Sequence, residues 1–382
     1  MALAIAPSKE TQTFTQSDEL LEACLKSEQN TEYVPVEEFN GAYFDDDAIL
    51  NGHSFTEEGM RSFLSRLNGG PGLFQTLSTI DRPGLASQVV NDLMSQPKAQ
   101  EVLGKTRFVV DTEFNNVIGA VGSRYEMIPN SQLVEGLIRN DNFDFDKAIL
   151  ADTRLSIKAF DKVHGMEMKS HGLEGKDFIK FGMMTINDMV GRHALSSSIC
   201  TERMLCTNQM THPIRKNEFR QIHVGQMLTD RFGEIITLAR SEYEVIKDRF
   251  EKLSEIEFKP HALAQMGAPI DVLPELQKER LYKPYFNLQG DKRKEAIEKS
   301  TEIINSIPNV YGGNITQPIW NSNYRDKKVM FDFCEVFTER SQSDDYTFEQ
   351  REEIEKNAGE LVEWLVKNRK RINDFEQLPV AA

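Results

Sequence analysis

The sequence contains no run of eighteen apolar residues, which excludes a membrane-spanning helix of ordinary length. Its opening, MALAIAPSKETQTFTQ, lacks the basic start and apolar stretch of a secretory signal. Cysteine is scarce: Cys24, Cys200, Cys206 and Cys334 are too scattered to read as a disulfide framework in 382 residues. A reducing cytoplasm is the expected setting. The usual nucleotide and catalytic signatures are also missing. There is no G-x-x-x-x-G-K-S/T loop, no G-x-G-x-x-G between strand and helix, no G-x-S-x-G elbow and no H-E-x-x-H. These absences weigh against an ATPase, a dehydrogenase, an α/β-hydrolase or a zincin, and no cofactor is expected.

What is present suffices for a folded core. Apolar residues make up 39% of the chain, and Phe (23) far outnumbers Trp (2), so wholesale disorder is not expected. The net charge of −15 is unevenly placed. Residues 1–60 carry thirteen Asp and Glu against two Lys and Arg, whereas residues 151–225 carry eleven basic against eight acidic residues. Global acidity argues against indiscriminate nucleic-acid binding but leaves room for a local basic groove.

Residues 1–14 lack periodicity and read as a flexible arm. A helix is predicted at about 16–27, where Leu20, Leu21, Cys24 and Leu25 share a face, and 30–53 reads as irregular and acidic. Ser54-Phe55-Thr56-Glu57 has the form of a capping box, followed by Met60, Phe63, Leu64 and Leu67 at helical spacing, with a stop at Asn68–Gly72. A further helix is expected at about 84–95. Strands follow: Arg107–Thr112 and Asn116–Val121 as a hairpin, Tyr125–Ile128 continuing the sheet, Lys147–Ala151 and Arg154–Phe160 as a second hairpin, then Phe178–Ile186 and Ala194–Cys206. Ser131 is positioned to cap a short helix through Ile138. Leu228, Phe232, Ile235, Ala239, Tyr243, Ile246, Phe250 and Leu253 then mark one long amphipathic helix. Helices at 269–283, 291–307 and 347–372 complete the chain, with a loop-rich joint at 308–326.

The expected class is α+β: a mostly antiparallel sheet at about 105–206 backed by a long helix at about 224–254, with helical N- and C-terminal regions. The linear division is an acidic, partly flexible region 1–53, an α+β core 54–255 and a mainly helical region 256–382.

Candidate chemistry is thin. His193, Cys200, Cys206 and His212 are zinc-ligand types, but their spacing lacks the close pairs that structural zinc sites use, and packing is the preferred account. Asp45, Asp46 and Asp47, near His53, read as a solvated acidic turn, since consecutive carboxylates rarely converge on one ion. His164 and His171 bracket a glycine-rich stretch read as an exposed loop. Cys206 shows no base that would activate it as a nucleophile. No catalytic residue and no metal ligand is assigned.

The basic residues of the middle region carry more information. Lys158, Lys162, Lys169, Lys176, Lys180, Arg192, Arg203, Arg215, Lys216 and Arg220 are interleaved with Phe160, Phe178, Phe181 and Phe219. A sheet lined this way could follow phosphates and stack bases. The plainer account is a solvated sheet face with the Phe residues in the core.

Three segments carry a resemblance. They are Gly122–Asn130 (GSRYEMIPN), Glu202–Asn208 (ERMLCTN), and the helix at 54–67 ending in a Gly-Pro turn. Over roughly 50–255, with a weaker echo at 316–321, the chain resembles the "phage/plasmid-like protein" group, a family built around a domain of unknown function. It departs from that pattern at Gln209, where a Gly usually follows Cys-x-Asn, and at Thr185–Asp188. The resemblance implies a mobile-element context rather than a reaction, and the host cytoplasm as location if the protein is phage-encoded. The resulting expectation is a non-enzymatic nucleic-acid-binding protein acting on single-stranded DNA, by binding or annealing, and able to self-associate. The alternative is an acidic protein-interaction factor that engages a host or phage protein, as in host takeover or anti-defence.

Overall fold

The computed structural model describes residues 5–7, 9–36, 44, 50, 52–67, 72–79, 83–139, 142–168, 177–203, 208–212, 219–221, 232–279, 290–311, 330–341, 343 and 345–375. The chain opens with β1 (Ile5–Ala6), β2 (Gln12–Phe14), α1 (Ser17–Gln29) and β3 (Thr31–Pro35). Next come β4 (Ser54–Thr56), α2 (Glu57–Arg66), α3 (Gly72–Thr79), α4 (Pro83–Ser95) and α5 (Pro97–Leu103). Then follow β5 (Thr106–Asp111), β6 (Asn116–Gly122), α6 (Asn130–Ile138), β7 (Phe143–Ala151), β8 (Arg154–Met168), β9 (Asp177–Asp188) and β10 (Leu195–Arg203). After β11 (Asn208–His212) and β12 (Phe219–Gln221) the rest is helical: α7 (Phe232–Ser254), α8 (Pro260–Met266), α9 (Pro274–Glu279), α10 (Asp291–Tyr311), α11 (Met330–Ser341) and α12 (Phe348–Asn373).

The class is therefore α+β, and among the described residues the strands form two sheets. One has the order β1-β4-β6-β5-β3, with β1, β4 and β6 parallel and β6, β5 and β3 antiparallel. The other runs β11-β10-β9-β8-β7-β2, with β12 also on β10. Contacts divide the chain into two units. The first comprises Met1–Ala159, Thr185–Ser197 and Phe219–Gly233; the second comprises Phe160–Met184, Ser198–Glu218 and Glu234–Ala382.

In the first unit, the hairpin β5–β6 is buried on both faces, as its nearly unbroken apolar run requires. Phe108, Val110, Val117 and Ala120 face one core cluster, and Val109, Ile118 and Val121 face another. Four rings, Phe44, Phe55, Phe63 and Phe108, pack in tilted and edge-to-face pairs with centroids 5.2–5.8 Å apart and centre the larger cluster. Helix α2 lies close against β6 because Gly59 has no side chain: a Cβ there would stand 2.1 Å from the Val117 carbonyl oxygen. In α1, Leu20 and Cys24 are fully buried, and burial together with Glu28 pushes the Cys24 thiol up to about 12.

In the second unit, α7 buries Ile235, Ile236, Ala239, Tyr243, Ile246, Phe250 and Leu253, the three-and-four spacing legible in the sequence. Tyr243 stacks on Phe181 of β9 at 5.0 Å and 14°. Arg240 Nε donates to the fully buried Asp161 of β8 at 2.7 Å, so helix and strands are joined by both packing and an ion pair. Phe258, Phe333 and Phe337 pack ring against ring in the helical region, one pair tilted and the other edge-to-face. Helix α12 starts with a full capping box: Thr347 accepts from the Gln350 amide, and the Gln350 side chain accepts from the Thr347 amide. The Lys259 ammonium donates to the Asn373 carbonyl at its other end.

Several local expectations are corrected. Ser54 does not cap α2. Ser54–Thr56 pairs as a strand, and Thr56 Oγ1 accepts from the Gly59 amide, so the helix starts two residues later. Residues 5–6 and 12–14 are strand edges rather than part of a free arm, and Thr31–Pro35 pairs with β5. Tyr125–Ile128 is not a strand: the Arg107 guanidinium takes up the Tyr125 carbonyl, and the segment leads straight into α6. Ser131 is not a cap. Its amide and hydroxyl both donate to the Glu28 carboxylate of α1, a partner that no local pattern could supply. The described part of 269–283 is helical only from Pro274, and α3, α5, α8, α11, β11 and β12 are additional elements. The long helix is described from Phe232. Most of the expected joint at 308–326 lies outside the described residues, and its first residues extend α10.

Candidate functional site

The ten cations expected to line a groove fall in different places. Lys162 (β8), Lys180 (β9) and Arg203 (β10) belong to the second unit. Lys158 (β8), Arg192 (between β9 and β10) and Arg220 (β12) belong to the first. Lys169, Lys176, Arg215 and Lys216 lie outside the described residues.

In the second unit the contacts fix which way the strands face. Asp161 and Phe181 meet α7, so by strand alternation their neighbours Phe160 and Lys180 lie on the opposite face. The Lys180 ammonium sits 5.7 Å from the Phe160 ring centroid and 3.6 Å from the Glu202 carboxylate. Phe178, two residues before Lys180, keeps 39% of its surface exposed, and Lys162 is exposed two residues after Phe160. This face thus presents two lysines, one partly exposed aromatic ring packed over Gly165 and one competing carboxylate.

Arg192 belongs to something else. Its Nε donates to Asp188 Oδ2 at 2.7 Å, its Nη2 donates to Thr153 Oγ1 at 3.0 Å, and its Nη1 stands 3.5 Å from Glu58. Thr153 Oγ1 donates in turn to Asp188 Oδ1, which also accepts from the Val190 amide. Burial works against the Arg192 charge, but Asp188 outweighs it and raises the guanidinium pKa. Asn187 donates to the Ile128 carbonyl and to Asn130 Oδ1, and Asn130 donates to the Thr153 carbonyl. The hydroxyls of Tyr33 and Tyr125, stacked rings 6.0 Å apart, both donate to the Met189 carbonyl. Burial raises both phenols. Gly191, at φ +74°, lets the chain turn directly beneath the Tyr125 ring.

This network joins the segment after β6, the β7–β8 turn and the end of β9. It brings together two stretches singled out in the sequence, Gly122–Asn130 and Thr185–Asp188. What it does chemically is positioning: its charges and amides are mostly spent on one another. Sequence reading found the segments but not their meeting, because Thr153 and Met189 carry no motif.

Of the zinc-type residues, Cys200 is fully buried and in no disulfide, His193 lies in the β9–β10 turn, His212 pairs with Ile199 in the ladder, and Cys206 is outside the described residues. His171 and Asp45–Asp47 are also outside them. Among the described residues no group of three His, Cys, Asp or Glu is placed to hold a metal ion, and no helix is long and apolar enough to cross a membrane.

Fold and site together define an α+β protein in which a buried polar lock organises the turns, while two lysines and two phenylalanines share one face of β8 and β9. Residues 117–296 match the family described as "Domain of unknown function (DUF932)". That match takes in β6 through the start of α10, a little under half of the chain, and draws on both units. No curated protein and no solved structure matches the chain.

Proposed function

We propose that the protein binds single-stranded nucleic acid without enzymatic action, as a component of phage- or plasmid-type DNA metabolism. The observation that carries this reading is the face of β8 and β9 turned away from α7. There a lysine lies over one aromatic ring, and the ring of Phe178, two residues before that lysine, keeps part of its surface exposed. Single-strand binders combine cations that track phosphates with rings on which bases stack, and the combination is tolerant of sequence. Glu202 beside Lys180 supports selectivity: a phosphate must displace it, which suits a protein of net charge −15 that does not bind polyanions indiscriminately. Arg192 is left to the internal lock. The phage or plasmid setting rests on the sequence resemblance.

Fluorescence anisotropy with a labelled oligothymidine, at salt rising from about 50 mM to about 200 mM, tests the proposal. Affinity is expected to fall steeply with salt. Phe178→Ala is expected to cost about 1–3 kcal/mol of binding, Lys180→Ala to weaken binding and flatten the salt slope, and Glu202→Gln to tighten it. Absence of binding at the lowest salt sinks the proposal.

A further inference from the structure

Gly165 has no backbone reason to be glycine. It lies inside β8, and its φ is outside the left-handed region, unlike that of Gly52, Gly191, Gly267 and Gly290. Glycine within a strand gives up packing and costs entropy on folding, so it marks a place where something must come close. What comes close is the ring of Phe178, from the neighbouring strand β9. A Cβ at Gly165 would stand 2.3 Å from Cζ and 2.6 Å from Cε1 of that ring, and 2.9 Å from the Ile179 carbonyl oxygen.

A local irregularity turns this glycine toward the ring. Asp161 reaches Arg240 of α7, and the His164 ring lies 5.6 Å from that of Tyr243 on the same helix. Residues three apart in a regular strand face opposite ways, so β8 takes up one extra residue between them. The Asp161 carboxylate holds the irregularity by accepting from the amides of Val163 and His164, and Val163 stands 76% exposed. Gly165 then falls on the face away from α7, where Phe178 is. In an unbroken strand it would point at the helix, as Asp161 does.

We infer that Gly165 is a positioning residue for nucleic acid: it lets the Phe178 ring lie across β8, one side on the strand and the other open, as a fixed platform for one unpaired base. The inference rests on the single-strand reading above and deepens it. A ring already set in place loses little freedom when a base stacks on it. Bases inside a duplex are stacked on their neighbours and must be pulled out to reach the ring, so the platform selects single strands.

Two measurements on the full chain test this. In NMR spectra of glycine-labelled protein, one Gly165 Hα resonance is expected well upfield, moved by the Phe178 ring current, and in its ordinary place in Phe178→Ala. That measurement needs no substitution at 165, so it decides the ring's position even where a variant there fails to fold. In the anisotropy titration with oligothymidine, Gly165→Ala is expected to weaken binding at least about fivefold, as Phe178→Ala does, with the salt slope unchanged because the lysines remain. The double variant is expected to bind no more weakly than Phe178→Ala alone. Mere loss of structure in Gly165→Ala would flatten the slope and weaken the double variant further. Gly165 resonances in the ordinary range, full affinity in Gly165→Ala, or additive losses in the double variant would overturn the inference and leave the single-strand reading standing. Failure of the unaltered protein to bind oligothymidine overturns both.

Discussion

At the residue scale, side chains with the strongest constraints are those whose partners lie far along the chain. Asp161 is the clearest case. Its carboxylate is buried yet accepts from Arg240, from the amides of Val163 and His164, and pairs with the His164 ring. Desolvation opposes its charge, but these donors outweigh it and hold the carboxyl below its ordinary 3.8. A group with a depressed folded pKa stabilises above its unfolded value and loses that contribution as pH falls through the folded one. Asp161→Asn is therefore expected to cost about 2 kcal/mol at neutral pH, where it removes the charge that Arg240 and the two amides meet, and progressively less below pH 3.8. Urea midpoints of the two proteins across pH 7 to 3 measure this; a difference that grows as pH falls would contradict it. Nothing at 161 or 240 announces the pair in the sequence. Likewise Glu28, one of many acids near the N terminus, gave no sign that it holds the start of α6.

At the scale of elements, periodicity was a sound guide wherever one face of an element meets the core. The stripe on α7, the hairpin β5–β6 and the helices at 17–29, 83–95 and 348–373 all follow from it. Boundaries failed where two signals compete. Ser54-x-x-Glu57 satisfies the capping pattern, yet Phe55 is buried among aromatic rings and pairs with Ile5 and Val117, so strand pairing claims Ser54 and leaves Thr56 as the cap. The division of strands between two sheets was not legible, since alternation tells which face is buried and not which neighbour pairs. The caps themselves are testable. Thr347→Ala removes one half of the α12 capping box and is expected to cost about 1 kcal/mol. Faster hydrogen exchange confined to the first turn of α12, with the Gln350 amide affected most, is the expected signature. Unchanged protection at Gln350 would mean that the cap contributes nothing.

For the whole molecule, composition set the class and little more. The excess of Phe over Trp is realised in ring clusters such as Phe44–Phe55–Phe63–Phe108, and the acidic N-terminal charge is partly spent internally, on Ser131 through Glu28 and beside Arg192 through Glu58. The ten cations interleaved with Phe in the sequence are not brought together: Lys162 and Lys180 share a face with Phe160 and Phe178, while Lys158, Arg192 and Arg220 belong to the other unit. That Arg192 stands apart was not legible, because the arginine's partners are a turn threonine and an aspartate without motif.

The interleaving of the two units has a consequence for biosynthesis. The chain passes between units at 159, 184, 197, 218 and 233, so the first unit gains its last segment only when Gly233 has been made. By then Phe160–Met184 and Ser198–Glu218 have also emerged, ahead of α7, which supplies the ring that stacks on Phe181 and the guanidinium that neutralises Asp161. A nascent chain halted at that point carries an uncovered apolar strand and an Asp161 that lacks Arg240, a surface that invites chaperones and self-association. Protein ending at Gly233 is accordingly expected to be recovered aggregated or chaperone-bound, and co-expression of Glu234–Ala382 as a separate chain to restore recovery. A well-behaved monomer ending at Gly233 would show that the earlier segments need nothing from what is translated after them.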